Sequence, residues 1–388
     1  MKIIYHHRTQ KGDAQGIHIS EIINAFRKLN HEVLEISLVK DNDNIKLKKK
    51  KNRFLEIITL LIPRFLYELM EIFYNFYGYF KLKKAIKIFE PDFIYERYSS
   101  FNFCGVLVAK HTNSKICLEV NAPLHMEKIK FERLIFKGLS KFIENWVCNN
   151  AAICIVISSP LKEILVRQGV RREKLNVIIN GINPDHFKKV LKNNIREKYN
   201  IPEKAAIIGV VAWFRKWHGL DFLIKTCYEN GLFRLKNVYL LLLGDGPALL
   251  ECKTYVKEKL IEKNVIFTGA VERERISEYI DAFDIALQPR VTSYACPLKI
   301  IEYLAMGKAI IAPDQDNIRD ILTDQKDALL FKPDDKDDLC SKIHTLLKNS
   351  NYKKELSRNA LKAIEEKKLT WIENANRAIS LINSSNNV

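Results

Sequence analysis

The stretch Cys296-Pro297-Leu298-Lys299-Ile300-Ile301-Glu302-Tyr303-Leu304-Ala305-Met306-Gly307-Lys308-Ala309-Ile310-Ile311-Ala312 reads as a loop, a helix, a glycine stop and a buried strand. Pro297 suits the first helical position, where its missing N–H has no partner to lose. Gly307 suits the position just past the helix end, where φ is often positive. Ala309 to Ala312 is a short apolar run of the kind that parallel sheets bury on both faces. A helix that starts beside a sheet edge presents free backbone N–H groups, and these can hold an anion. Glu302 follows a turn and a half into the helix. Either it is a surface carboxylate on an ordinary helix, or it accepts hydrogen bonds from ligand hydroxyls such as those of a ribose.

Outward from this stretch, strand-like runs alternate with helical patterns, which indicates an α/β chain with parallel sheets. The strand candidates of the first half are Lys2–Tyr5, Glu32–Ser37, Phe93–Tyr95, Lys115–Val120, Ile153–Ile157 and Leu175–Ile178. Those of the second are Ile207–Val211, Val238–Leu243, Val265–Thr268, Ile285–Gln288 and Ala309–Ala312. Helices fit at Ile17–Leu29, Phe103–His111, Leu161–Arg167, Leu220–Glu229, Pro247–Lys259, Ile276–Ala282, Leu298–Met306, Lys336–Lys348 and Trp371–Ile382. Two doubly wound units in series match this count. The break falls in Asn180–Asn194, where Asn180-Gly181 and Asn183-Pro184 interrupt the pattern.

A chain of 388 residues with 47% hydrophobic residues has room for two ordinary domains. None of its eight cysteines sits in a Cys-x-x-Cys pair, which favours reduced, buried thiols in a cytoplasmic protein over disulfides or zinc. Cys296 reads either as a thiol activated by the neighbouring helix start or as a small packing residue. Met1–Tyr5 reads as a first strand rather than a secretory leader, and no run of about 20 uncharged apolar residues suggests a membrane span. The net charge of +17 is uneven. Residues 1–190 hold 32 Lys and Arg against 19 Asp and Glu; the rest hold 31 against 27. A basic half points to an acidic partner surface, phospholipid or nucleic acid.

Residues 47–87 look like an insertion. Lys48 to Lys51 and Arg53 precede a long apolar run; Phe73, Tyr74, Phe76, Tyr77, Tyr79 and Phe80 crowd its end; Lys81, Lys83, Lys84 and Lys87 follow. Lysines beside aromatics suit a helix lying in a membrane interface. A helical pair covering the first sheet, with its lysines in water, is the other reading.

Four further segments carry chemistry. Ile207 to Val211 leads into Arg215, Lys216 and His218-Gly219, a set of cations after a strand. Gly244-Asp245-Gly246-Pro247 follows the next strand, where glycines let a ligand approach the backbone at the strands' carboxyl ends. Phe267-Thr268-Gly269-Ala270-Val271 precedes Arg273 and Arg275. In the first half, Gly12 and Gly16 flank a loop before a helix carrying His18, and Glu96-Arg97-Tyr98 and Glu119-Val120-Asn121 each follow a strand.

In order and spacing these segments resemble the retaining glycosyltransferases of family 4, which have the GT-B fold. The resemblance runs from the glycine loop to Trp371. It implies two Rossmann-like, doubly wound domains facing across a cleft: residues 1–185 for the acceptor, 186–368 for a nucleotide-diphosphate sugar, and a final helix, 369–388, returning to the first domain. Glu302 matches the second Glu of the family's paired-glutamate pattern and would hold the ribose; Tyr294 stands where the first Glu is usual. Arg215 matches the diphosphate-binding Arg. His218 occupies the usual Lys position, so either Lys216 or His218 supplies the second cation. Leu298 and Lys299 would offer backbone N–H groups to the phosphates. Gly12, Gly16, Gly244 and Gly246 would border the donor, Val271 would meet the base through its backbone, and Arg273 or Arg275 would stack on it. His18, Glu119 and Asn121 would face the transferred sugar and acceptor, with Asn121 replacing a common His. Arg215, Lys216 and Glu302 would carry catalysis.

The implied activity is retaining, metal-independent hexosyl transfer to a glycan or lipid-linked acceptor in cell-surface polysaccharide or glycolipid synthesis. It needs no cofactor, and its place would be the cytoplasm, with peripheral contact to the anionic inner face of the plasma membrane. A nucleotide-sugar 2-epimerase of the same fold is the alternative enzyme, although the acid and base groups it needs do not stand out. A basic membrane- or nucleic-acid-binding protein is the alternative of another class, without a recognised nucleic-acid motif.

Overall fold

In the computed structural model, residues 1–9, 14–37, 63–188, 193–235 and 237–385 are described here, the side chains of Ala14 and Gln15 excepted. The chain forms two units: Met1–Ile178 with Trp371–Val388, and Ile179–Thr370. Each is built on a six-stranded, all-parallel sheet.

The first sheet holds β1 (Lys2–His7), β2 (Glu32–Ser37), β3 (Phe93–Arg97), β4 (Lys115–Val120), β5 (Ile153–Val156) and β6 (Leu175–Val177), in the order β2-β1-β3-β4-β5-β6. β3 and β5 are buried throughout, as the absence of apolar–polar alternation in their sequences requires. The helix Trp371–Ser384 belongs to this unit. Trp371 packs edge-on to His18 at 4.6 Å, and Lys115 Nζ donates to the carbonyls of Ile382 and Ser385 at 3.1 and 2.7 Å.

The second sheet holds β7 (Ala206–Val211), β8 (Val238–Leu243), β9 (Val265–Gly269), β10 (Ile285–Leu287), β11 (Ala309–Pro313) and β12 (Leu329–Phe331), in the order β12-β11-β10-β7-β8-β9. This is the doubly wound order of nucleotide-binding folds, with its switch point between β7 and β10. Ile285 and Ala286 of β10 lie opposite Ile208 and Gly209 of β7. The core between sheet and helices is aliphatic: Ile208, Val210, Leu223, Leu240, Leu242, Ile311 and Leu339 are all buried.

Several elements escape a reading of pattern alone. β12 is three residues long, too short for a period. The helix Leu124–Phe131 mixes apolar and charged residues without a clean stripe, and Ser350–Glu366 is largely polar. Asn349 fixes the start of that last helix, its side chain accepting from Tyr352 N–H at 3.0 Å. Of the presumed insertion, residues 47–62 lie outside the described part. The remainder is one helix, Arg64–Phe89, 26 residues long. Among the described residues no helix is long and apolar enough to cross a membrane.

Candidate functional site

In the second unit the site forms where sheet topology puts it, in the loops leaving β7 and β10. The helix after β10 is Leu298–Ala305, with Pro297 as its cap rather than its first residue. The proline's ψ of 112° is extended, so the helix begins one residue later than the spacing suggests. No side chain caps the first turn. Gly307 adopts φ +59° just past the end, as expected of a glycine stop. Tyr303 ties the helix to the sheet, its hydroxyl accepting from Val211 N–H at 2.8 Å. Asn180 donates to Cys296 O at 2.9 Å, and Asn317 donates to Thr292 O and Ala295 O at 3.1 and 2.7 Å, which pins the loop carrying half-buried Tyr294.

Glu302 is 4% exposed and accepts from Arg273 Nη1 at 2.5 Å; the Arg273 guanidinium also covers the Phe187 ring at 5.1 Å. Arg275, by contrast, pairs with Glu278 of the helix Ile276–Asp281 that follows it, at 3.0 Å. Lys299 reaches the site with its side chain as well as its backbone. Its Nζ is buried and has no hydrogen-bond partner among the described residues. Burial lowers its pKa to about 8, against the opposing pull of Glu302. Val271 lies half-buried two residues beyond β9.

Arg215 opens a short turn, Lys216–His218, after β7. Its guanidinium stacks over Trp217 at 4.8 Å. Arg215 and Lys216 are exposed and have no acidic partner among the described residues. His218 differs from the expected second cation. It is half-buried, and its Nδ1 bonds to Trp213 O. Burial first, then the charges of Lys299 and Arg215, push its pKa down to about 3 despite that hydrogen bond. A neutral imidazole cannot neutralise a diphosphate. Of the two candidates for a second cation, Lys216 is the exposed lysine, and Lys299 is a further lysine at the site.

The two loop glycines also act differently from the expectation. Gly244 (φ +128°) and Gly246 (φ +148°) lie against the 212–214 backbone. A Cβ on Gly244 would sit 1.8 Å from Ala212 O, and one on Gly246 would sit 2.6 Å from Phe214 N. Phe214 N–H donates to Asp245 O at 2.7 Å, and Ala248 N–H to Phe214 O at 2.8 Å. The glycines therefore let two loops interlock and fix the backbone that leads to Arg215.

Cys296 is the packing residue of its two readings. Burial raises its pKa to about 12, and its Sγ accepts from Asn180 N–H at 3.3 Å. All eight cysteines are free and buried. A recess between the helices Leu220–Glu229 and Leu249–Glu258 is lined by Asp221, Glu251 and Glu258 with only Lys225 opposing them, the wrong charge for a phosphate.

In the first unit a second polar cluster gathers at the carboxyl ends of β1, β3 and β4. Glu119, 2% exposed, accepts from Arg97 Nη1 at 2.9 Å, Tyr95 Oη at 2.7 Å and Asn121 Nδ2 at 2.5 Å, with His18 Nδ1 at 3.5 Å. Burial alone would raise its pKa, but His18, Arg97 and the Asn121 and Tyr95 hydrogen bonds outweigh it and hold the carboxyl below its ordinary range. The structure thus groups His18, Glu119 and Asn121. It adds Arg97 and two pairs the sequence reading did not assign, His6 with Glu96 and His7 with Glu35, the latter at 3.1 Å. The adjacent His6-His7 at the end of a strand was the available signal. Gly16 is buried in the first turn of the helix Ala14–Lys28 that carries His18; Gly12 lies outside the described residues.

Comparison with known proteins agrees with this geometry. Residues 15–186 match the family described as Glycosyltransferase Family 4, and residues 192–363 match Glycosyl transferases group 1. The chain is a glycosyltransferase with the GT-B fold. It is 22% identical over 274 residues to an uncharacterized glycosyltransferase of Methanocaldococcus jannaschii, covering 70% of this chain and 69% of the relative. It is 24% identical over 306 residues to the N,N'-diacetylbacillosaminyl-diphospho-undecaprenol alpha-1,3-N-acetylgalactosaminyltransferase of Campylobacter jejuni, covering 73% and 75%. Among solved structures, HepE of Anabaena in complex with UDP shares the fold at TM-score 0.75 and 17% identity, over 99% of this chain and 100% of that one.

Proposed function

We propose that the protein is a retaining, metal-independent hexosyltransferase acting in cell-surface polysaccharide or glycolipid synthesis. The second unit would bind a nucleoside-diphosphate sugar, and the first a glycan or lipid-linked acceptor. The observation that carries the reading is the charge of the second unit's switch point. Arg215, Lys216 and Lys299 stand there without a salt-bridge partner among the described residues, beside an uncapped helix start and the buried carboxylate of Glu302. The solved HepE complex with UDP and the Campylobacter relative, named for a diphospho-undecaprenol-linked acceptor, support donor and acceptor classes of this kind.

In this mechanism Glu302, positioned by Arg273, accepts hydrogen bonds from the ribose hydroxyls. Leu298 and Lys299 present backbone N–H groups to the diphosphate, while Arg215, Lys299 and Lys216 meet the charge that grows on its bridging oxygen as the bond to the sugar breaks. The acceptor hydroxyl attacks on the face the diphosphate leaves, and its proton passes to the departing phosphate oxygen. The new bond keeps the donor's configuration, and no carboxylate base or metal ion is required. The histidines and carboxylates of the first unit that an epimerase would need are engaged with one another.

The test begins with a thermal-shift screen of nucleoside diphosphates and their sugars, since a ligand of the native state raises apparent stability by mass action. With the donor named, Glu302→Ala is expected to lower transfer at least about a hundredfold while the protein stays folded; near-normal turnover by this variant would overturn the assignment. The anomeric coupling of the product reads retention directly, and full activity after chelation reads metal independence. Conversion of the donor into its C2 epimer without any acceptor would favour the epimerase.

A further inference from the structure

The helix Arg64–Phe89 is amphipathic in the wrong sense for a helix in water. Its buried face carries Glu68, Asn75, Gly78, Leu82 and Ile86. Its outer face carries Leu66, Met70, Phe73, Tyr77 and Phe80, spaced by four and three residues on one stripe, with Phe76 beside it. Phe73, Phe76 and Phe80 are 62%, 62% and 67% exposed. An isolated exposed apolar side chain is ordinary; an aromatic stripe opposite a buried glutamate is not.

The buried polar groups have a purpose. Asn75 accepts from the N–H groups of Phe103 and Cys104 at 2.8 and 3.0 Å, and so receives the next helix. Glu68 accepts from the N–H groups of Ile135 and Phe136, both at 2.9 Å, just before the helix Lys137–Asn150. Glu71 pairs with Lys128 at 2.8 Å and Arg64 with Glu132 at 2.7 Å. This seam holds the helices Leu124–Phe131 and Lys137–Asn150 alongside the aromatic helix. These two and the segment joining them add Met126, Ile129, Ile135, Leu139 and Phe142 to the exposed apolar residues, between 40% and 64% exposed. Exposed lysines belong to the same three helices: Lys83, Lys84 and Lys87 to Arg64–Phe89, Lys130 to Leu124–Phe131, and Lys137 and Lys141 to Lys137–Asn150.

We infer that this three-helix face of the first unit docks on an anionic lipid bilayer, with the helices lying in the interface. Charge selects the occupant. A second copy of the chain would bring the lysines of these helices against like charge, whereas acidic headgroups complement them and the aromatics enter the acyl boundary. The helix does not cross the bilayer, as its length of apolar sequence does not allow it. The inference needs no substrate and stands apart from the identity of donor and acceptor.

The experiment is co-sedimentation of the full chain with phosphatidylcholine vesicles, with and without phosphatidylglycerol, alongside light scattering of the protein alone. Binding is expected to the phosphatidylglycerol vesicles, weakened by salt. The exposed triple variant Phe73→Ser/Phe76→Ser/Phe80→Ser should lose about tenfold or more of that binding at unchanged melting temperature. Lys83→Glu/Lys84→Glu/Lys87→Glu should lose a similar share and abolish the preference for phosphatidylglycerol. Equal failure to bind both vesicle types overturns the inference. So does a dimer in solution that the serine variant converts to monomer, which would make the face a subunit interface.

Discussion

The two sheets end alike and differ in what their charged ends do. At the carboxyl ends of β1, β3 and β4, Arg97 pairs with Glu119, His6 with Glu96 and His7 with Glu35, and most of these groups are buried. At the ends of β7 and β10, Arg215, Lys216 and Lys299 have no salt-bridge partner among the described residues, and the buried Glu302 there already has Arg273. Charges paired with one another support the fold, whereas cations in a crevice without a salt-bridge partner suit an anionic ligand. Doubly wound topology places polar groups at both crevices. Pairing, more than position, separates scaffold from binding site.

The sharpest way to break this contrast is to remove one charge from each cluster and compare stability with activity. Glu119→Leu strands Arg97 and His18 in a buried setting, and removal of one member of a buried pair costs about 3–5 kcal/mol. A melting temperature that barely moves would mean the first cluster is less closed than its geometry. Lys299→Met removes a buried ammonium that no described group partners. It should leave stability equal or higher, because a desolvated charge disappears. Transfer should fall about 10²–10³-fold, the usual loss for one group aimed at developing negative charge. Unchanged turnover with raised stability would leave Lys299 a strained bystander and return the second cation to Lys216.

Much of this was legible in the residues. The alternation of strands and helices, the helix Leu298–Ala305 and its glycine stop follow from period, cap and turn chemistry, which act within a few residues. The family resemblance set Arg215 and Glu302 in one site. What the sequence hid depends on atoms far apart in the chain. The neutral state of His218 comes from its burial beside Lys299, 81 positions away, and from the Trp213 carbonyl. Gly244 and Gly246 look like ligand-facing glycines until the 212–214 backbone is seen against them. The aromatic helix was visible as composition, but its inverted faces appear only when Glu68 and Asn75 are found inside.

The finest test of the comparison uses pH, because the two clusters should fail at opposite ends of the scale. Glu119 has a depressed pKa, so its contribution to stability is complete above the ordinary carboxylate range and is lost as pH falls through its folded value. Lys299 titrates at about 8 in the free protein. Below that pH its ammonium is present for the diphosphate; above it, binding must first take up a proton. The diphosphate of a sugar nucleotide is fully ionised well below neutrality, so the ligand adds no change of its own. Donor affinity should therefore be flat up to about pH 8 and then fall by up to about tenfold per unit, or about 1.4 kcal/mol. Lys299→Arg, which stays charged, should bind with a flat profile over the same interval. Calorimetric titration of the donor from pH 7 to pH 9.5 reads both curves. A flat profile in the unaltered protein would show that the exposed Arg215 and Lys216 carry the anion alone, and the contrast between the clusters would then rest on exposure and not on a buried, waiting charge.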